Sequence, residues 1–187
     1  PPPPLMPAHR DRLVWIAAIE LRAAGPAGDV VVRSFGAEAA LAADAARPVP
    51  LSRWPTDGTA ATSMARHAAT LRGVANFDAA AFGLAPAAAA AADPQQRLVL
   101  EAAAALLALV PGRPARASVS VIIGVSGSDA ASLAAARDGG ADPSPLAASS
   151  GAPSVVPGRV AYTFDLAGDA AAVDTACSSA LVATAVA

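Results

Sequence analysis

The sequence predicts an α/β fold with buried strands and flanking helices, and three observations carry that prediction. Apolar runs of strand length at Val14 to Ile19, Val119 to Val125 and Ala170 to Asp174 are separated by segments of helical spacing. The Val119 to Val125 run is rich in β-branched residues, the composition of a strand covered on both faces. Asp93-Pro94 and Pro111-Gly112 start and stop a run of helical spacing, so strands and helices alternate along the chain.

The elements follow in order. Pro1 to Pro7 reads as an extended, polyproline-like segment, and residues 1–12 are assigned to a Pro-rich linker. Val14 to Ile19 is expected to be a buried strand, and Glu20 to Gly28 a turn-rich connection. A weak helix is expected over Ala37 to Ala46, stopped by Pro48. Pro48 to Gly58, with Pro50 and Pro55 around Trp54, reads as a surface loop pinned by one aromatic. The clearest helix begins at Asp93-Pro94, an N-cap followed by a proline whose missing N–H costs nothing at the first helical position. Leu98, Ala102 and Leu106 recur at helical spacing, and Pro111-Gly112 ends the run. Val119 to Val125 empties into a tight turn at Gly124-Val125-Ser126-Gly127. Gly139 to Gly151, rich in Pro, Ser and Gly, reads as loop. Val160 to Phe164 alternates as a strand would, Ala170 to Asp174 is a short strand, and Ser179 to Ala187 reads as a helix. No internal repeat is visible.

Composition narrows the function classes. A length of 187 residues suffices for one domain, or most of one. A net charge of -2 gives no electrostatic footprint for nucleic acid or an anionic membrane. Alanine fills much of the 55% hydrophobic content, and alanine buries little area at ~25 cal/mol per Å², so modest stability is expected. One cysteine excludes an intramolecular disulfide and favours a reduced, cytoplasmic setting. Ala79 to Val110 is interrupted by Asp93, Gln95, Gln96 and Arg97, which argues against a membrane span of about 20 apolar residues. The proline-rich start has no secretory pattern. One cysteine with His9 and His67 makes no metal-ligand set, so neither a metal nor a directly bound cofactor is expected.

The residue best suited to chemistry is Cys177, in Asp174-Thr175-Ala176-Cys177-Ser178-Ser179 between a strand and a helix start. At that position the backbone N–H groups and the helix dipole favour the thiolate, the reactive form of a cysteine. Small neighbours (Ala176, Ser178, Ser179 and Ala180) leave room for a substrate arm.

Val173 to Ala183, which contains this hexapeptide, resembles the nucleophile signature of beta-ketoacyl synthases, particularly the ketosynthase domains of type I polyketide synthases. Further blocks resemble the same family in the same order: Pro48 to Trp54, Phe77 to Pro86, Asp93 to Leu98, Val121 to Asp129 and Gly158 to Gly168. The resemblance runs from about Val14 to the C-terminus. It implies a thiolase-like fold, with residues 13–187 as the N-terminal portion of the domain, truncated after the nucleophile.

The implied reaction is a decarboxylative Claisen condensation. Cys177 takes an acyl group as a thioester, and its backbone N–H contributes to the oxyanion hole. Substrates arrive on the phosphopantetheine of an acyl carrier protein. Implied partners are that carrier protein, neighbouring synthase domains and a second copy in a homodimer. By the same analogy Asp174 and Thr175 are structural, holding the strand-to-helix turn, and Asp93 with Gln95 to Arg97 serves packing and dimer architecture.

Departures qualify the expectation. The family places two histidines after the nucleophile, whereas His9 and His67 both precede it and match no family motif. Both are assigned to solvated surface, and the isolated chain is expected to be inactive in condensation. Gly168-Asp169 stands where the family usually has Gly-Pro. Two alternatives remain. One is a non-catalytic remnant or docking piece. The other is a serine hydrolase using Ser126 in Gly124-Val125-Ser126-Gly127-Ser128, although Ser128 replaces the final glycine of the hydrolase elbow and no histidine follows.

Overall fold

The structure is a computed structural model that describes residues 21–24, 29–32, 46–49, 66–71, 73–110, 119–128 and 145–187. Along the chain these form β1 (Leu21–Ala24), β2 (Asp29–Val32), β3 (Arg47–Pro48), β4 (His67–Ala68), a 3-10 turn (Ala80–Phe82), α1 (Pro86–Ala91) and α2 (Pro94–Leu109). After them come β5 (Val121–Gly124), α3 (Pro145–Ser150), α4 (Val155–Phe164), β6 (Ala170–Val173), a second 3-10 turn (Ala176–Ser178) and α5 (Ser179–Val186). The strand expected at Val14 to Ile19, the leader and Trp54 lie outside the described residues. So does Ala37 to Ala45 of the expected weak helix.

Asp93 starts α2 by accepting the Gln95 N–H at 2.7 Å, which satisfies one of the donors a helix start leaves open. Leu100 and Gln96 are fully buried, whereas Leu98, Ala102 and Leu106 are only half-buried. Leu100 packs with Val121 of β5 and Val160 of α4 to form the core, so the neighbours on either side select the inward stripe. The Phe77 to Pro86 block contributes its rings to the same core. Phe77 stacks on Phe82 at 5.0 Å, and Phe82 meets Phe164 edge-on at 6.4 Å.

Three expectations are corrected. Val160 to Phe164 belongs to a helix. A strand would place Val160 and Tyr162 on one face, yet Val160 is 3% exposed and Tyr162 89%. The apolar residues at helical spacing (Val156, Val160 and Phe164) decide the outcome. Pro157 is tolerated because the N–H groups of a first turn have no intrahelical partner. Within Gly139 to Gly151, the segment Pro145–Ser150 is helical, with proline at its first position. Its last carbonyls are capped from α2: the Asp93 N–H donates to Ser150 O at 3.0 Å, and Gln96 Nε2 lies 2.9 Å from both Ser149 O and Ser150 O. Finally, residues 21–24 of the turn-rich stretch form a strand. It pairs antiparallel with the valine-rich β2, and cross-strand pairing with that β-branched run overrides its own turn propensity.

β5 and β6 pair in parallel, Val121 opposite Ala170 and Gly124 opposite Val173, with α4 in the connection. The start of this pair is tied down by residues 168 and 169. The Gly168 N–H donates to Val119 O at 3.0 Å, and a Cβ on Gly168 would fall 2.3 Å from that oxygen. β5 is covered by α4 and α5, whereas Ala170 and Ala171 of β6 are exposed. Among the described residues no helix is long and apolar enough to cross a membrane.

Candidate active site

The parallel pair sends two turns out of its carboxyl ends, the place where α/β sheets build binding sites. The Val125 N–H donates to Val173 O at 3.0 Å, and beyond that bond residues 126–128 and 174–178 diverge. Gly124 allows the second turn to close over the first strand. A Cβ there would lie 2.6 Å from the backbone N of Ala180 and 2.6 Å from the carbonyl carbon of Ser179, so only glycine admits the start of α5.

Cys177 is exposed, in the middle of the 3-10 turn that directly precedes α5. The residue before it, Ala176, has φ 55, a left-handed conformation that costs a residue with a Cβ about 1–2 kcal/mol. Five hydrogen bonds close the turn around it. The Ala176 N–H donates to Asp174 Oδ1 at 3.0 Å. Ser179 Oγ accepts the Thr175 N–H at 2.9 Å and donates to the Ala176 carbonyl at 2.7 Å. Ser178 Oγ lies 2.8 Å from the Thr175 carbonyl and 2.9 Å from its hydroxyl. The turn is thereby closed on its own polar groups, and the thiol is left to solvent.

Asp174 joins the two turns. Its carboxyl is held below the ordinary value of 3.8, first by the Ala176 N–H and then by the Ser126 hydroxyl; the Gly127 N–H adds a smaller effect, and burial opposes all three. Ser126, the candidate of the hydrolase reading, therefore lies beside the Asp174 carboxylate. Ser128, where that reading needs glycine, donates its hydroxyl to Asp93 Oδ2. His67 lies in β4 opposite Pro48, and His9 is outside the described residues. Among the described residues no group of three or more His, Cys, Asp or Glu is placed to hold a metal ion.

Sequence reasoning missed Ser179 and Gly124. A serine at the first helical residue after a cysteine turn is a signal that could have pointed to Ser179. Gly124 was legible only as a turn residue, because its contact with α5 joins segments more than fifty residues apart. The Gly168-Asp169 departure also has a local account. The Asp169 N–H, which a proline would lack, donates to Ser120 Oγ at 3.1 Å, and the Asp169 carbonyl accepts the Val121 N–H at 2.7 Å.

Comparison with known proteins agrees with this architecture. The chain is 41% identical over 152 residues to the spectinabilin polyketide synthase system protein NorC of Streptomyces orinoci, covering 75% of the chain and 7% of that protein. It is 45% identical over 132 residues to the pikromycin polyketide synthase component PikAII of Streptomyces venezuelae, covering 69% of the chain and 4% of that protein. The chain thus spans a small part of the polyketide synthases it matches. Among solved structures, the ketosynthase from module 6 of the bacillaene synthase of Bacillus subtilis 168 superposes over 91% of the chain and 28% of its own length, with a TM-score of 0.64. At 23% identity that likeness shows the fold, which is the thiolase-like fold of ketosynthases. The oxazolomycin ketosynthase domain OzmH KS7 of Streptomyces albus JA3453 gives a TM-score of 0.61 at 25% identity, over 90% of the chain and 30% of its own. The sequence model described as "Beta-ketoacyl synthase, N-terminal domain" matches residues 12–187, and the chain belongs to that family.

Proposed function

We propose that this chain carries the acyl-accepting part of a polyketide ketosynthase active site, with Cys177 as the nucleophile. The observation that carries the proposal is the exposed thiol on a closed turn, directly after the left-handed Ala176 and directly before α5. In the acylation step the Cys177 thiolate attacks the carbonyl of an acyl thioester. A new C–S bond forms to Sγ, and the phosphopantetheine thiolate of the carrier protein leaves and is protonated. The backbone N–H of Cys177 contributes to the oxyanion hole that receives the carbonyl oxygen. Asp174 and Thr175 hold the turn and take no part in bond making.

Condensation follows in the whole synthase. A malonyl-type extender on a carrier protein loses carbon dioxide, and the electron pair of the broken C–C bond forms the new C–C bond to the acyl carbon. The Cys177 thiolate is expelled. The groups that promote this decarboxylation belong to the region that follows the nucleophile in the family. Carrier protein, neighbouring synthase domains and a homodimeric partner complete the reading. The relatives named above, all polyketide synthases, favour polyketide assembly as the setting.

The test is incubation with an acyl thioester and mass spectrometry of the Cys177 peptide. The reading expects one acyl mass on that peptide in the wild type and none in Cys177→Ala. Failure of the wild-type peptide to gain the acyl mass would sink it. A fluorophosphonate adduct on Ser126 would favour the hydrolase alternative.

A further inference from the structure

The start of α2 is tied to the 126–128 turn by hydrogen bonds, and that turn lies beside the Asp174 carboxylate of the Cys177 turn. Gln95 is the second residue of α2, and its own N–H is fixed by the Asp93 carboxylate at 2.7 Å. Its side-chain Nε2 donates to the Gly127 carbonyl at 3.0 Å, across 32 residues of sequence. Asp93 holds the next residue, accepting the Ser128 hydroxyl. Gly127 has φ 61; its carbonyl accepts from Gln95, and its N–H side adjoins the Asp174 carboxylate, on which it has a smaller effect than the Ala176 N–H or the Ser126 hydroxyl. Asp174 Oδ1 in turn takes the N–H of Ala176, the residue before the nucleophile.

We infer that Gln95 is a positioning residue for the Cys177 turn, acting through the Gly127 backbone and the Asp174 carboxylate. The physical reason is that Ala176 occupies a left-handed conformation that local preference opposes, so its carboxylate anchor must itself be anchored. Hydrogen bonds from a rigid helix start supply that anchoring, and loss of the Gln95 bond frees the Gly127 carbonyl and loosens the donors on Asp174. The family resemblance assigned this glutamine to packing. The bond to Gly127 gives it a role directed at the nucleophile turn.

The acyl-transfer consequence rests on the ketosynthase reading, whereas the structural consequence does not, and the experiment separates them. In the full chain, Gln95→Glu keeps the size of the side chain but replaces the amide donor with a carboxylate, and Gln95→Lys restores a donor. Hydrogen exchange followed by mass spectrometry should show exchange in the 174–179 peptide rising about tenfold in Gln95→Glu, with the α4 peptide unchanged and Gln95→Lys close to wild type. Acyl transfer to Cys177 should fall about tenfold in Gln95→Glu, within the range a misplaced reacting group costs, while alkylation by iodoacetamide stays within about twofold. Unchanged exchange at 174–179 in Gln95→Glu overturns the inference whatever the acylation result. An exchange increase in α4 as large as that at 174–179 overturns it as well, because the glutamine would then serve general stability. A wild-type chain that never accepts an acyl group, yet shows the exchange pattern, refutes the ketosynthase reading and leaves the positioning role supported.

Discussion

Ser179 Oγ donates to the carbonyl of Ala176 at 2.7 Å, so the first residue of α5 clamps the left-handed residue that precedes Cys177. The same oxygen accepts the Thr175 N–H, and the Ser179 side chain is almost wholly shielded from solvent. Ser179→Ala removes two part-buried hydrogen bonds and leaves the Thr175 N–H and the Ala176 carbonyl without their shared partner. We expect a loss of about 1–3 kcal/mol in urea unfolding. Acylation of Cys177 should drop in parallel, because the turn loses the bond that opposes relaxation of Ala176.

Gly124 tests the contact between β5 and α5. A methyl group there meets backbone atoms at 2.6 Å, and backbone cannot rotate aside as a side chain can. Gly124→Ala should therefore shift α5 outward and cost about 1–3 kcal/mol or more in chemical unfolding. The Cys177 peptide, which leads into α5, should show faster hydrogen exchange than wild type. An alanine variant of wild-type stability and exchange would contradict the close approach.

Asp174 predicts the direction of acid sensitivity. Its carboxyl titrates lower in the folded chain than its ordinary value of 3.8, through the Ala176 N–H first and the Ser126 hydroxyl second. The contribution to stability is therefore full above the ordinary value and is lost as pH falls through the folded value. The stability difference between wild type and Asp174→Asn should be constant from neutral pH to about pH 5 and then shrink below the ordinary value. Urea midpoints measured across that range check the sign, and a difference that widens on acidification would refute it.

The core makes a simpler prediction. Leu100 has no exposed surface and packs against Val121 and Val160, so Leu100→Ala should cost about 2–5 kcal/mol. Leu98→Ala, on the half-buried face, should cost clearly less. Thermal or urea unfolding of the pair decides which stripe of α2 faces inward.

Some of this molecule is local, and what is local was legible. The start of α2 follows from Asp93-Pro94 alone, since a cap and a first-turn proline act within one turn of helix. β5 and β6 were readable from apolar runs of the right length, and α5 from the helical segment after the cysteine. The motif around Cys177 carried the family, because residue order and spacing survive in sequence without any coordinates. Elsewhere local signals competed. Val160 to Phe164 has the alternation of a strand and the i, i+4 spacing of a helix, and contact with Leu100 and β5 decided between them. Pro145 to Ser150 has loop composition, and bonds from Asp93 and Gln96 to its last carbonyls accompany its helical turn.

By itself, then, the sequence determined the strand–turn–helix setting of Cys177, which depends on residues within a few positions of it, and the family, which rests on motif order along the chain. Only the tertiary structure decided what holds the turn in its left-handed geometry. Ser179 at the start of α5 and the Asp174 carboxylate bond to Ala176, and Asp174 lies beside Ser126 and Gly127 of the turn that Gln95 reaches from α2. Most of those partners are tens of residues away in sequence, and their hydrogen bonds exist only after β5 and β6 pair and α2 packs beside them.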